Sequence, residues 1–176
     1  DIITYLGEHN DKQKFIFKNL AKNINLDFLK KKSSQTIIKT KIIDLSNNSK
    51  LLGLYDFNDK KLSQIEERKL KLKINKKINK YDIVIVSDYG HSFINQKIAN
   101  ILSKSKKVIV NTQLNSANLG YHTIGKYKNA NCAIINEVEL RHELRERYDD
   151  VKKLMIKLSS KLQIKNLIVT CGKDGA

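Results

Sequence analysis

The sequence is poor in the residues that cross-link or stiffen a chain. Its 176 residues include no proline, no tryptophan and two cysteines, Cys132 and Cys171. Because two cysteines so far apart form neither a C-x-x-C pair nor a disulfide framework, we expect reduced thiols and no structural zinc site. No apolar run approaches the roughly twenty residues that a membrane-spanning helix needs, so we expect a soluble protein.

Basic residues are abundant, but arginine is scarce among them. The formal net charge is +16, and lysine outnumbers arginine by 30 to 4. Such a charge favours nucleic-acid binding, because basic side chains neutralise phosphates. Arginine is, however, the preferred residue for bidentate contacts with phosphates and bases, and the lysines are scattered along the chain. We therefore interpret them as solvated helix faces and keep a basic nucleic-acid-binding protein as an alternative.

Alternating strand-like and helix-like segments predict one α/β domain with a mostly parallel sheet. Strands are expected at residues 2–6, 82–86, 107–110, 133–135 and 166–170, and helices at 11–24, 63–77 and 94–102 and from about 136 and 149. The run at 82–86 is short and continuously apolar, which predicts a strand buried on both faces. Residues 36–44 and 50–57, joined by Ser46-Asn47-Asn48-Ser49, predict a β-hairpin outside this alternation.

Polar residues follow the predicted strands, at the edge where parallel sheets bind ligands. The clusters are Ser87-Asp88-Tyr89-Gly90, Asn111-Thr112-Gln113, Asn136-Glu137-Val138-Glu139 and Thr170-Cys171-Gly172-Lys173-Asp174-Gly175. Glycines in the last cluster let backbone amides approach a phosphate, and Thr170 and Lys173 add a hydroxyl and a charge. Asn136 and Glu139 allow two interpretations, a helix cap or a site for a hydrated magnesium ion.

In this order, the clusters resemble the ribokinase-type (PfkB) carbohydrate kinases, most closely the heptose-phosphate kinase domain of bifunctional ADP-heptose synthesis enzymes. Ser87-Asp88-Tyr89-Gly90 is similar to the family's acidic sugar-side turn, and Asn136-x-x-Glu139 to its N-x-x-E motif. Val169-Thr170-x-Gly172-x-x-Gly175 is similar to its nucleotide loop. Residues 36–41 and 51–57 resemble the strands of its substrate-covering lid.

The resemblance implies a three-layer, ribokinase-like α/β fold, with a small β lid at residues 36–57, that is incomplete at both ends. It implies ATP-dependent phosphorylation of a sugar or sugar phosphate, with ATP and Mg²⁺ as cofactors. The implied sites are Asp88, Lys39 and Asn111 for the sugar, Thr170, Gly172 and Gly175 for the nucleotide, and Asn136 and Glu139 for the metal ion. It also implies a cytoplasmic protein, a homodimer formed through the lid, and a fused nucleotidyltransferase domain.

The sequence departs from the family pattern at two places that bear on the substrate. His91-Ser92 stands where the heptose kinases usually place Lys-Gly, and Asn111-Thr112-Gln113 stands where they have Asp-Pro-Lys. The loss of two cations predicts weaker capture of a phosphorylated sugar. His91 is expected either to contact sugar hydroxyls or to lie exposed in a loop.

The family's G-A-G-D signature, which carries the catalytic base, would lie beyond Ala176, and the sequence contains no such motif. Phosphoryl transfer needs a positioned base as well as bound substrates. We therefore expect residues 1–176 to be an internal, partial kinase domain that is inactive alone. A kinase-like sugar-binding or scaffolding module without catalysis is the first alternative.

Overall fold

The computed structural model describes residues 1–9, 12–105, 107–115 and 118–176. Within these ranges the strands are β1 (Ile2–Gly7), β2 (Leu26–Lys31), β3 (Ile38–Asp44), β4 (Ser49–Asp56), β5 (Val84–Asp88), β6 (Val108–Thr112), β7 (Cys132–Asn136) and β8 (Asn166–Thr170). The helices are α1 (Gln13–Asn19), α2 (Gln64–Lys77), α3 (Gln96–Leu102), α4 (Glu137–Leu144) and α5 (Val151–Leu162). The chain divides into two compact units, Asp1–Leu70 and Lys71–Ala176.

The first unit contains two small sheets. Strands β1 and β2 pair in parallel, with Ile2 opposite Leu26 and Gly7 opposite Lys31. Strands β3 and β4 form the predicted antiparallel hairpin, whose turn places Asn48 at a positive φ of 55°. The buried apolar side chains of this unit come from β1, β2 and α2: Tyr5, Leu6, Leu29 and Leu70.

The second unit is built on a four-stranded parallel sheet in the order β5-β6-β7-β8. Alternate strand residues are buried, namely Val86, Val108, Val110, Ala133, Ile135 and Val169. The residues between them are more accessible, and Ile85 and Ile168 are 72% and 42% exposed. Because successive side chains of a strand point to opposite faces, one face of this sheet packs into the core and the other is accessible.

The predicted burial of residues 82–86 on both faces is therefore wrong. The structure buries Val86 and exposes Ile85 and Ile83, the latter to 48%. β-Branched residues favour the strand backbone itself, whether or not each side chain is covered. The continuous apolar run thus identified the strand but not the environment of its two faces.

Two further differences lie in the first unit. Strand β2 was not predicted, because Asp27, Lys30 and Lys31 interrupt its apolar pattern. Helix α1 ends at Asn19 rather than continuing to residue 24, and none of its residues is buried. Residue 11, the expected start of this helix, lies outside the described residues. The other predicted strands and helices are confirmed with small shifts in their ends.

No helix in the described ranges has the length and apolar character required to cross a membrane.

Helices α4 and α5 each end at a non-glycine residue whose backbone has the conformation that glycine usually adopts at this position. Arg145 and Gln163 adopt the left-handed conformation, with φ values of 52° and 55°. The amide of Gln163 still donates to the carbonyls of Ser159 and Ser160, which satisfies the end of α5. A Cβ atom in this conformation approaches the backbone closely, so both caps carry strain.

Replacing Gln163 by glycine should raise the free energy of unfolding by about 1 kcal/mol, because glycine adopts this conformation without the Cβ clash. Urea denaturation followed by circular dichroism measures the change. The control is Lys157→Gly, at an exposed position inside α5, which should lower the free energy of unfolding by about 1 kcal/mol. A loss of stability in both variants would contradict the prediction.

Candidate functional site

The carboxyl ends of the parallel strands bring most of the predicted site residues to one edge of the second unit. Asp88, the last residue of β5, lies opposite Thr112 of β6. At the other side of the sheet, Asn136 at the end of β7 lies opposite Thr170 at the end of β8. Strand-end residues of a parallel sheet face the usual ligand crevice, so this edge is the candidate site.

Side-chain alternation divides these residues between the two faces of the sheet. The side chain of Asp88 lies on the buried face of the sheet, and the residue is 4% exposed. Asn111 shares its register with Ser87 on the accessible side, where Asn136 and Thr170 are also exposed. Ser87 was given no role from the sequence, although a period of two along the strand separates it from Asp88. Its exposed hydroxyl is the group of β5 that can reach a ligand.

Lys39, the predicted contact from the hairpin, belongs to the first unit. It is exposed on β3, and its ammonium lies 5.2 Å from the centre of the Tyr55 ring on the neighbouring strand. This cation–π contact orients the side chain along the hairpin surface. Its role toward a substrate stays a prediction.

The Asp88 carboxylate is held by three donors. Its Oδ2 accepts from the Tyr127 hydroxyl at 2.6 Å and lies 2.6 Å from the Lys126 ammonium. Its Oδ1 accepts from the Gly90 amide at 3.1 Å. A buried carboxylate needs such partners because it has lost its water. Asp88 therefore acts first as an internal anchor for the loop that carries Lys126 and Tyr127.

His122 completes this polar cluster in its neutral form. Burial lowers the pKa of His122, against the opposing charge of Asp88, and the nearby charge of Lys126 lowers it further. Its Nε2 lies 3.0 Å from the Asp88 carbonyl oxygen, which can only accept, so Nε2 carries the proton. Burial also raises the pKa of Tyr127, and the Asp88 carboxylate raises it further. Tyr127 consequently remains a hydrogen-bond donor to Asp88.

A second set of bonds fixes the turn after β5 against the same loop. The buried Asn118 side chain donates to the Tyr89 carbonyl at 3.0 Å and to the Gln113 carbonyl at 3.3 Å. Gly90 has a φ of 72°, and a Cβ atom there would collide with Asn118 and His122. Only glycine fits this position, because both the conformation and the space exclude a side chain.

His91 is 6% exposed, so the expectation of an exposed loop histidine is wrong. The residues that follow His91, 92–95, are also only partly accessible. Its contact with sugar hydroxyls stays a prediction.

Asn136 and Glu139 form a capping box at the start of α4. The Asn136 side chain accepts from the Glu139 amide at 2.8 Å, and Glu139 Oε2 accepts from the Asn136 amide at 2.8 Å. Glu139 Oε1 accepts from the Leu114 amide at 2.8 Å. The helix-cap interpretation is therefore confirmed. Glu139 additionally ties the loop after β6 to α4, which the sequence pattern did not indicate.

The metal interpretation of this pair stays a prediction, and the structure shows how Glu139 is already engaged. Across the described ranges, no group of three or more His, Cys, Asp or Glu side chains is placed to hold a metal ion. Both oxygens of Glu139 are already hydrogen-bonded, and the residue is 6% exposed. Mg²⁺ usually keeps several waters and takes only one or two carboxylates, so the role of Asn136 and Glu139 toward the metal ion stays a prediction.

The turn after β8 is largely closed on itself. The Cys171 amide donates to the Gly175 carbonyl at 2.7 Å, and the Gly175 amide donates to the Gly172 carbonyl at 3.3 Å. Gly172 and Gly175 have φ values of 62° and 87° and open space around them. The glycines are thus required for the turn, and the exposed Thr170 hydroxyl lies at its base.

Comparison with solved structures identifies the fold of the chain that carries this site. Phosphofructokinase-2 from Escherichia coli in complex with potassium is 13% identical, with a TM-score of 0.69 over 97% of this chain and 55% of that chain. Ribokinase from Giardia lamblia is 12% identical, with a TM-score of 0.68 over 97% and 53%. A nucleoside kinase from Burkholderia thailandensis in complex with inosine has a TM-score of 0.55, 12% identity and coverage of 97% and 53%.

These similarities show that the chain adopts the ribokinase-like α/β fold, which confirms the predicted fold class. The chain spans about half the length of these kinases. No protein-family model matches the sequence, and no curated protein matches it. At this level of identity the comparison defines the fold, and the chemistry of the edge must be argued from its residues.

The protein should lose stability as the pH falls below about 6.5, where His122 of the unfolded chain takes up a proton that the folded state resists. Because the pKa of His122 is lower in the folded state, its contribution to stability is complete above pH 6.5 and is lost as the pH falls toward the folded pKa. The loss is up to about 1 kcal/mol per pH unit. Urea denaturation at pH 7.5 and 5.5 measures it.

The variant His122→Gln should reduce the stability difference between the two pH values. The control His142→Gln, at an exposed position, should leave that difference unchanged. Equal pH dependence of the wild type and His122→Gln would show that the buried imidazole is not the titrating group.

Proposed function

We propose that this chain is the central part of an ATP-dependent carbohydrate kinase that phosphorylates a hydroxyl of a sugar or sugar phosphate. The main support is the ribokinase-like fold, in which the polar residues Asn111, Asn136 and Thr170 occupy the accessible side of the strand ends. In the reaction, the sugar oxygen would bond to the γ-phosphorus of ATP as the bond to ADP breaks, and a general base of the intact protein would take the proton of the hydroxyl.

The sugar side of the site is proposed to lie at the ends of β5 and β6. Ser87 and Asn111 are the accessible groups there. Lys39 keeps its proposed role as a substrate contact from the β3–β4 hairpin, the proposed lid. Asp88 would contribute indirectly, because its carboxylate is occupied by Tyr127, Lys126 and Gly90. The substrate contact assigned to Asp88 from the sequence thus becomes a positioning role in this proposal.

The phosphate side is proposed to lie at the ends of β7 and β8. Thr170, Gly172 and Gly175 would receive the nucleotide through the hydroxyl and the backbone of the turn, whose two glycines have open space around them. Magnesium would supply charge neutralisation on the phosphates when bound. Asn136 and Glu139 would serve it indirectly, by fixing the N-terminal turn of α4, whose amide dipoles favour phosphate nearby.

Nucleotide binding by the 176-residue chain tests the proposal directly. We expect ATP with Mg²⁺ to bind, and Gly172→Ala to weaken the affinity about tenfold, because alanine is disfavoured at this positive φ by about 1.4 kcal/mol, which equals a factor of ten in affinity. Isothermal titration calorimetry measures both affinities.

Gly120→Ala is the matched control for that experiment. Gly120 also has a positive φ, 82°, and open surroundings, but it lies outside the turn after β8. Its replacement by alanine carries a similar backbone strain and should leave ATP affinity unchanged. Absence of ATP binding to the wild type, or the same loss in both variants, would remove the nucleotide site from the proposal.

Glu139→Gln separates the capping role from the proposed metal role. An amide offers one acceptor oxygen where the carboxylate serves the amides of both Asn136 and Leu114. We expect the variant to lower the free energy of unfolding without Mg²⁺ by about 1–2 kcal/mol, measured by urea denaturation.

In the full-length protein, the same variant should require more Mg²⁺ for activity if the α4 turn supports the metal site. Glu137→Gln, at the neighbouring position of α4, is the control and should not disturb the capping box. An unchanged magnesium titration of Glu139→Gln would leave it a purely structural residue.

A sugar-binding or scaffolding module without catalysis is the second candidate, favoured by the departures from the heptose-kinase pattern. The three residues at 111–113 are all neutral. The ammonium of Lys126 is near them in the fold, but it is paired with Asp88, which lies opposite Thr112. Phosphoryl transfer by the full-length protein distinguishes the candidates: sugar binding without ADP release would support the module.

A homodimer through the hairpin is part of the proposal. Its support is the exposure of large apolar side chains along both strands and the turn, including Leu45 at 89% and Leu51 at 65%. Burial of such side chains against a second copy would remove apolar surface from water.

A further inference from the structure

The β3–β4 hairpin has no core of its own. Residues 38–56 are all described, and none of their side chains is buried. A two-stranded hairpin is marginally stable in water, because it buries too little apolar surface to offset the entropy of ordering. The orientation of this hairpin must therefore be set where its two strands join the rest of the first unit.

The connection that enters the hairpin is bonded to the end of β1. The Gly7 amide donates to Thr36 Oγ1 at 3.0 Å, and the Glu8 amide donates to the Ser34 carbonyl at 2.8 Å. The Ser33 amide donates to Glu8 Oε2 at 2.9 Å. A Cβ atom on Gly7 would collide with the backbone of this connection, so the two segments are in direct contact.

The connection that leaves the hairpin is held by a buried lysine. Lys31, the last residue of β2, is 2% exposed, and its ammonium donates to the Asn58 carbonyl at 2.6 Å. The same ammonium lies 5.1 Å from the centre of the Tyr5 ring. The Asn58 side chain donates to the Ser33 carbonyl at 2.8 Å, which joins the leaving connection to the entering one.

A buried glutamate completes this arrangement. Glu66 is 8% exposed, and its Oε1 accepts from the Lys32 amide at 2.8 Å. Its Oε2 accepts from the amide and the hydroxyl of Ser63, both at 2.7 Å. Glu66 thereby links the residue after Lys31 to the start of α2. We call the residues that make these bonds, 7–8, 31–36 and 58–66, the hairpin root.

Burial of the Lys31 ammonium costs free energy, so packing alone does not explain a lysine at this position. Burial lowers the pKa of Lys31, while the carboxylates of Asp59 and Glu66 oppose that effect. Apolar side chains of similar volume commonly replace buried charges without loss of stability. A lysine at this position supplies something that they lack, namely a hydrogen bond directed at one backbone carbonyl of the leaving connection.

We propose that Lys31 is a positioning residue that fixes the direction of the β3–β4 hairpin through Asn58, so that hairpin and root move as one body. In the proposed kinase function, on which this consequence rests, Lys31 would set the direction in which the hairpin presents Lys39. The root itself is a property of the first unit and holds for any function of the chain.

Hydrogen exchange followed by mass spectrometry on the wild type and Lys31→Met tests the proposal. Methionine fills the volume but cannot donate to the Asn58 carbonyl. We expect amide exchange of residues 38–56 to accelerate about tenfold, the equivalent of one hydrogen bond from a charged donor. Exchange in β5–β8 should be unchanged, because none of the bonds of the hairpin root involves that sheet.

The matched control is Lys30→Met, at the exposed neighbouring position of β2, and its hairpin exchange should equal that of the wild type. Unchanged hairpin exchange in Lys31→Met would overturn the proposal. Equal acceleration in β5–β8 would also overturn it, because Lys31 would then support general stability.

If Lys31→Met does not fold, Asn58→Ala tests the next bond of the same route, because alanine keeps the backbone carbonyl that accepts from Lys31 but lacks the side chain that binds the entering connection. It removes the bond to the Ser33 carbonyl at a partly accessible position and should also accelerate exchange of residues 38–56 alone. Unchanged exchange in this variant would overturn the proposed route from Lys31 through Asn58 to the entering connection. These measurements need no ligand, so their failure is distinguishable from failure of the kinase proposal, which depends on nucleotide binding.

Discussion

The burial of one negative charge organises the edge of the four-stranded sheet. Asp88 ends β5 inside the protein, where an unpaired carboxylate would be strongly destabilising. Its partners Lys126 and Tyr127 come from a distant part of the chain, so the loop before β7 must return to β5. That return packs Asn118 and His122 against Gly90, and the accessible side of the strand ends is left to other residues.

The sequence was informative where the determining interactions are local. β-Branched runs located the parallel strands, and the spacing of Asn136 and Glu139 indicated the capping box, whose bonds span three residues. The partners of Asp88 lie 38 and 39 residues away, so no local pattern could assign them. Strand β2 was missed for a similar reason, because its Lys31 is buried by tertiary hydrogen bonding that overrides its polar character.

The departures from the heptose-kinase pattern change the charge available at the strand ends. Where the heptose-kinase pattern has two lysines, this chain has His91 and the neutral residues of 111–113, and the structure buries His91. Lys126 is a cation in the same region, but it is 17% exposed and is engaged by Asp88 and the Ile94 carbonyl. For the proposed kinase, an edge of hydroxyls and amides is better suited to hydrogen-bonding sugar hydroxyls than to attracting a phosphate by charge.

The uncovered hairpin also poses a problem of solubility. Its outer edges present unpaired backbone groups beside exposed side chains such as Leu52 and Leu54, a combination that promotes strand-to-strand aggregation. Proteins often block such edges with proline, which this chain lacks entirely. Lysines take this role instead, because their charges oppose pairing with another strand; Lys39, Lys41 and Lys50 lie along the two strands. Acetylation would remove the charge of those lysines and with it this protection against strand-to-strand association.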